Sequence, residues 1–229
     1  MNIKPWQEFD KVADLYSEKI QIWLAFFDRE DCSSYFHLLS EDEKARAARL
    51  MDLGTASRQI ISRGILRLLI GRYSGMDPKQ LSFNCSEFGK PFLTNPADSG
   101  ICFNLSHSGS LLLIAVVSGK QVGIDVEKNE SKIDVSGIAS IAFSAEEQSF
   151  LSRSIDPVHD FYELWTAKEA ILKSTGLGFS YPSNKFSVAI SKGKVQEQKI
   201  TNDLPAGTDL SLISFSPVEG YSAAVAAMR

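Results

Sequence analysis

Val122-Gly123-Ile124-Asp125-Val126-Glu127-Lys128 alternates apolar and acidic residues with a period of two. In an extended strand successive side chains leave opposite faces, so Val122, Ile124 and Val126 line one face and both carboxylates leave the other. A third acid, Glu169, lies in Trp165-Thr-Ala-Lys168-Glu169-Ala-Ile-Leu-Lys173, whose apolar spacing predicts a helix. Two like charges about 4 Å apart repel by roughly 4 kcal/mol at an effective dielectric near 20. If the fold gathers the three acids, a divalent cation is the simplest relief.

Working outward, the same landmarks occur twice. Ile22, Leu24 and Phe26 alternate in residues 21–27 as Val122, Ile124 and Val126 do later. Each strand is followed by a capping box, Ser40-Glu-Asp-Glu43 and then Ser144-Ala-Glu-Glu147, in which serine and glutamate satisfy each other's backbone N–H. A helical stripe follows each: Ile60, Ile61, Gly64, Ile65, Leu68 and Leu69, then Phe161, Leu164, Trp165, Ile171 and Leu172. Each half closes on a predicted hairpin, residues 103–108 turning through Gly109 into 111–117, and 212–217 turning through Gly220 into 223–227. Further strands are expected at 81–83, 186–190 and 195–200. Strands after helices indicate an α+β fold. The expected architecture is therefore a pseudodimer of two similar α+β halves, residues 1–119 and 120–229, with helices packed on antiparallel sheets. A cleft between such halves is a natural ligand site.

Composition narrows the class. The 229 residues are 44% hydrophobic and 23% charged, enough to build a sizeable core. The longest apolar run, 111–117, is too short for a bilayer span, and residues 1–6 lack the apolar core of a secretion signal. A cytoplasmic protein with no membrane partner is expected. The net charge of −4 argues against a nucleic-acid partner. Cys32, Cys85 and Cys102 form no CxxC pair and are expected as reduced, mostly buried thiols. Charge is uneven, however: Lys44, Arg46, Arg49, Arg58, Arg63, Arg67 and Arg72 face only Asp52. Such a run suits either a solvated helix face or a surface for anions or an acidic partner.

Glu169 and Lys173 are four apart and share a helix face, as in a surface ion pair. Lys168 projects into the apolar stripe, where a snorkelling stem accounts for it. Gly89-Lys90-Pro91 reads as a turn whose lysine suits a phosphate or purine, and Ser106-His107 offers hydrogen-bond donors for phosphate. No P-loop, GxGxxG or nucleophile triad is present. Oxygen-only ligands suit Mg²⁺ with substrate phosphates.

Gly89-Lys-Pro91, Phe103-Asn-Leu-Ser-His-Ser108, Val122-Gly-Ile-Asp-Val-Glu127, Phe143-Ser144 and Trp165–Lys173 follow one another as in phosphopantetheinyl transferases of the surfactin-synthetase-activating (Sfp) type, which the chain resembles over most of its length. The resemblance implies a two-half fold with the site between the halves. It also implies transfer of 4'-phosphopantetheine from coenzyme A to a serine of an acyl or peptidyl carrier protein, releasing adenosine 3',5'-bisphosphate. On this resemblance Asp125, Glu127 and Glu169 are the Mg²⁺ ligands and Lys173 contacts the pyrophosphate. Lys90, Ser106, His107, Arg46 and Arg58 bind the rest of coenzyme A. Glu169 is the candidate general base and Lys173 its catalytic neighbour. Because duplication completes a site within one chain, a monomer is expected. Two other readings use the same residues: a metal-dependent hydrolase of nucleotide pyrophosphates, and a non-catalytic module that binds carrier protein or coenzyme A.

Overall fold

In the computed structural model, residues 2–6, 8, 19–176, 178, 181–191, 194–201, 204 and 208–229 are described. The first half runs β1 (Asn2–Pro5), β2 (Gln21–Phe26), α1 (Ser33–Phe36), α2 (Glu41–Ala48), α3 (Leu53–Ser74), β3 (Ser82–Cys85), β4 (Pro91–Asn95), β5 (Ile101–Ser108) and β6 (Leu111–Ser118). The second runs β7 (Val122–Lys128), α4 (Val135–Ala142), α5 (Ala145–Leu151), α6 (Pro157–Thr175), β8 (Ser187–Ser191), β9 (Lys194–Thr201), β10 (Leu210–Phe215) and β11 (Tyr221–Met228).

The duplication expected from the sequence is present in the strand order. The first sheet is ordered β1-β2-β6-β5 and the second β10-β11-β7, so the succession β2-β6-β5 is repeated as β7-β11-β10. All pairings in both sheets are antiparallel except β1 with β2. The two sheets pack face to face: Ile22, Leu24, Leu111, Leu113, Ala115 and Val117 meet Val122, Ile124, Val126, Ala223, Val225 and Ala227. The long helices cover the outer faces, α3 against Trp23, Ala25, Leu112 and Ile114, and α6 against Leu212, Ala224 and Ala226. The strand β6 is thus buried on both faces, which is why its sequence is apolar without alternation.

Both capping boxes form, with Ser40 and Ser144 as N-caps. Each box glutamate is also the partner of a buried cation on the long helix of its own half. Glu43 Oε2 accepts from Arg67 Nε at 2.7 Å, and Arg67 Nη1 reaches Pro78 O and Leu81 O. Glu147 accepts from Lys168 Nζ at 2.9 and 2.7 Å, and the same ammonium donates to Phe186 O at 2.6 Å. In both halves the cation therefore ties the short capped helix, the long helix and the chain entering the next hairpin into one knot.

Three expectations change. Lys168 does not snorkel: it is 1% exposed, and its ammonium is held in the core by Glu147. Arg67 leaves the basic surface for the same reason, at 2% exposure. The cysteines are free but not buried, Cys85 being exposed and the other two half-buried. Among the described residues no helix is long and apolar enough to cross a membrane.

Lys168→Met leaves Glu147 charged and unpaired in the core, and unfolding in urea is expected to show a loss of about 3–5 kcal/mol. Adding Glu147→Gln removes that stranded charge, so the double variant should be more stable than the single one.

Candidate active site at the seam

Gly123 sets the geometry. A Cβ there would collide with Ala170 O and Ser174 N, so only glycine lets the α6 backbone lie directly on β7. The helix is started by Asp156, which accepts from His159 N, with Pro157 in its first turn, and it stops at Gly176 in the left-handed conformation. Seated this closely, α6 presents Glu169 and Lys173 over the face of β7 that carries Asp125 and Glu127. Lys173 Nζ reaches Asp125 Oδ1 at 2.6 Å. The ion pair expected between Glu169 and Lys173 is replaced by this longer-range one.

The first half contributes a second row. Strands β5 and β7 are sheet edges that meet at the seam through side chains rather than a backbone ladder. Asn104 Oδ1 accepts from Ile124 N at 2.9 Å, and Ser106 Oγ donates to Asp125 Oδ1 at 2.9 Å. Ser108 Oγ donates to Glu127 Oε2 at 2.7 Å. Lys173 Nζ also reaches Ser106 Oγ at 3.1 Å. Asn104 and Ser108 were not singled out from the sequence, yet the polar alternation Asn104, Ser106, Ser108 carries their signal.

The electrostatics follow from crowding and burial. Asp125 is 3% exposed, and its Oδ2 is buried with no hydrogen-bond partner. Burial pushes its pKa up, against the pull of Lys173 and Ser106. Burial also raises Glu127, with the Asp125 charge adding to it. Glu169 is pushed up to about 7 by burial first, then by Asp125 and, more weakly, Glu127, with Lys173 opposing. The three acids therefore sense one another, although their oxygens are not all within 4.8 Å. Among the described residues the group that meets that distance is His159, Asp160 and Glu163 on the outer side of α6. Oxygen-only donors, mutual repulsion and a buried oxygen lacking any donor fit a hard divalent cation at Asp125, Glu127 and Glu169.

The remaining candidates lie around this centre. His107 packs edge-on against Phe27 at 5.8 Å, and Arg58 stands over the same ring at 5.9 Å. With Leu50 and Thr55 they line a cleft of about 420 Å³. Partial burial, then the charges of Arg58 and Lys173, hold the His107 pKa below its ordinary value, so the imidazole is neutral here at pH 7. Arg46 borders a neighbouring cavity of about 230 Å³ with Arg63 and Arg67. Lys90 turns toward the seam, donating to Gln121 Oε1 and Val122 O at 3.0 Å each. Burial lowers its pKa to about 8. Its turn, Phe88 to Pro91, walls a third cavity of about 180 Å³ against Glu169 and Lys173.

A raised carboxylate pKa carries a sign for stability. Between its ordinary value near 4.5 and about 7, Glu169 binds more protons folded than unfolded, so its contribution to stability is lost as pH rises through that window. Glu169→Gln is therefore expected to melt a few degrees above the wild type at pH 8 in chelator, the gap shrinking toward pH 5. An equal gap at both pH values would show that the Glu169 pKa is not raised in the folded protein.

Residues 121–226 match the profile of the 4'-phosphopantetheinyl transferase superfamily, and residues 27–119 that of the 4'-phosphopantetheinyl transferase N-terminal region. A 4'-phosphopantetheinyl transferase, HetI, of Nostoc sp. is 37% identical over 171 residues, covering 72% of each chain. One from Bacillus subtilis is 34% identical over 192 residues, covering 82% of each. The 4'-phosphopantetheinyl transferase Sfp of Bacillus subtilis is 30% identical over 215 residues, covering 91% of this chain and 92% of its own. With likeness of this extent across both halves, the chain belongs to the 4'-phosphopantetheinyl transferase superfamily and is an enzyme of its Sfp type.

Proposed function

We propose that this transferase moves 4'-phosphopantetheine from coenzyme A to a serine hydroxyl of an acyl or peptidyl carrier protein, with Mg²⁺ as its cofactor and one chain, divided near residues 119–120, as the working unit. The observation that carries the reading is the buried Asp125 carboxylate, one oxygen held by Lys173 and Ser106 and the other without a partner, beside Glu127 and Glu169. A pyrophosphate ester brings negative charge to such a site, which only an added cation makes tolerable.

Asp125, Glu127 and Glu169 would hold Mg²⁺, which when bound neutralises the pyrophosphate and polarises the phosphorus under attack. The chain's own groups do the rest. The carrier serine oxygen bonds to the β-phosphorus as the bond to the bridging oxygen breaks, and adenosine 3',5'-bisphosphate departs. Glu169, which lies beside the cation it would help to hold, is the group assigned to accept the hydroxyl proton. Lys173, beside Asp125, would offset the charge that grows on the bridging oxygen. His107 and Arg58 offer donors to the nucleotide phosphates from the neighbouring cleft, with Arg46, Ser106 and Lys90 around them. A bound phosphate would draw the His107 pKa back up. Exposed Arg46, Arg49 and Arg58 suit an acidic carrier surface.

The test incubates the protein with coenzyme A, Mg²⁺ and an apo carrier and follows the carrier by intact mass. One phosphopantetheine gained per carrier, only with Mg²⁺, is the expected result. Release of adenosine 3',5'-bisphosphate without carrier would favour the hydrolase, and no product in either case the binding module. Asp125→Ala should lower transfer by at least about 100-fold, since the site loses its central charge; a native rate in the folded variant would remove the acids from the chemistry. Carrier affinity should fall between about 0.05 and 0.5 M salt as exposed charges are screened.

A further inference from the structure

We infer that Ser108 is a positioning residue that holds Glu127 in the orientation the reaction needs, so that the first half of the chain controls a ligand of the second. Glu127 is half-buried, and its long side chain would otherwise rotate freely at the edge of β7. Ser108 is well suited to stop it. Its hydroxyl donates to Glu127 Oε2 at 2.7 Å and accepts from Lys128 N at 3.1 Å. With its acceptor side occupied by a backbone N–H, the hydroxyl proton is directed at the carboxylate. This leaves Glu127 Oε1 outside the hydrogen bond.

The serine is itself fixed. It is the last residue of β5, and the next residue, Gly109, has φ +57° at the hairpin tip. A Cβ on Gly109 would stand 2.6 Å from Tyr221 Oη and 3.3 Å from Lys128 Cδ, so the tip is clamped against β11 and β7. The same arrangement recurs two residues earlier, where Ser106 donates to Asp125. Alternate hydroxyls of β5 thus meet alternate carboxylates of β7. The difference is that Asp125 has Lys173 as well, while among the described residues Ser108 is the one side chain hydrogen-bonded to Glu127. Removing Ser108 should therefore loosen Glu127 more than removing Ser106 loosens Asp125.

The inference rests on the reading above that Glu127 is a cation ligand, and groups that orient ligands in this way typically change metal affinity 10–100-fold when lost. The test measures Mn²⁺ binding to the free protein by electron paramagnetic resonance, Mn²⁺ sharing the preference of Mg²⁺ for oxygen ligands. Ser108→Ala is expected to bind Mn²⁺ about tenfold more weakly. It should raise the Mg²⁺ needed for half-maximal transfer by a similar factor, with KM for the carrier and the melting temperature unchanged. Ser108→Thr, which keeps the hydroxyl, should restore binding to near the wild-type level. Mn²⁺ affinity equal to wild type in folded Ser108→Ala, or equal loss in the threonine variant, would overturn the role. A wild type that takes up no Mn²⁺ would instead overturn the cation reading, and the positioning role would fall with it.

Discussion

One oxygen of Asp125 is buried with no protein donor, and the arrangement of the seam follows from keeping it there. A buried carboxylate without full hydrogen bonding is costly, by several kcal/mol in the limit of no compensation. Here Lys173 and Ser106 satisfy Oδ1 while Oδ2 stays open. That state needs rigid surroundings, because a mobile strand would turn the group out to solvent. Gly123 supplies the rigidity by letting α6 rest on the β7 backbone, and the sheet-to-sheet core of Ile124, Val126 and Val225 holds the other face.

Duplication shows what the second half gave up. The positions in and just after β2 that correspond to Gly123, Asp125 and Glu127 are Trp23, Ala25 and Phe27, all three in the core beneath α3. Glu169, one residue after the buried Lys168, corresponds to Leu68, one residue after the buried Arg67, and Leu68 packs against that same core. In the first half these positions are all apolar, from Ala25 to Trp23, and the sheet–helix layer closes. In the second, a glycine draws the helix in and acids take the place of hydrocarbon. The site is thus a core position of the fold rebuilt in carboxylate, which accounts for its burial and for the upward pKa shifts.

Much of this was legible because it is local. Alternation in 21–27 and 122–128, the two capping boxes and the two closing hairpins are short-range signals, and each corresponds to an element observed. The side-chain partners were not legible in the same way. Ser106 and Lys173 are 67 residues apart, and Lys168 and Glu147 are 21 apart on different helices. No periodicity reports such a meeting. From the sequence Lys168 therefore reads as a snorkelling residue, although its partner is the very glutamate that marks the α5 capping box. Lys90 likewise reads as an open turn lysine, but the antiparallel β3–β4 pair folds its turn back onto Val122 O.

Among the described residues, two buried ion pairs and the partly buried Asp125–Lys173 pair differ in a way that bears on the candidate site. Glu147 has each oxygen accepting twice, from Lys168 and from Val188 N on one and from Lys168 and Ser144 N on the other. Glu43 Oε2 accepts from both Arg67 Nε and Ser40 N, and Arg67 Nη1 donates to the backbone carbonyls of Pro78 and Leu81. Pairs that are closed in this manner gain nothing from a further charge and serve to fix helices. The Asp125–Lys173 pair is open: an oxygen without a donor lies on one side, and a lysine that also touches Ser106 lies on the other. Under the proposed function, a cation would find a free acceptor there and a phosphate would find the Lys173 ammonium. It is this incompleteness, rather than burial or charge by itself, that sets the Asp125–Lys173 pair apart from the two structural ones in the same fold.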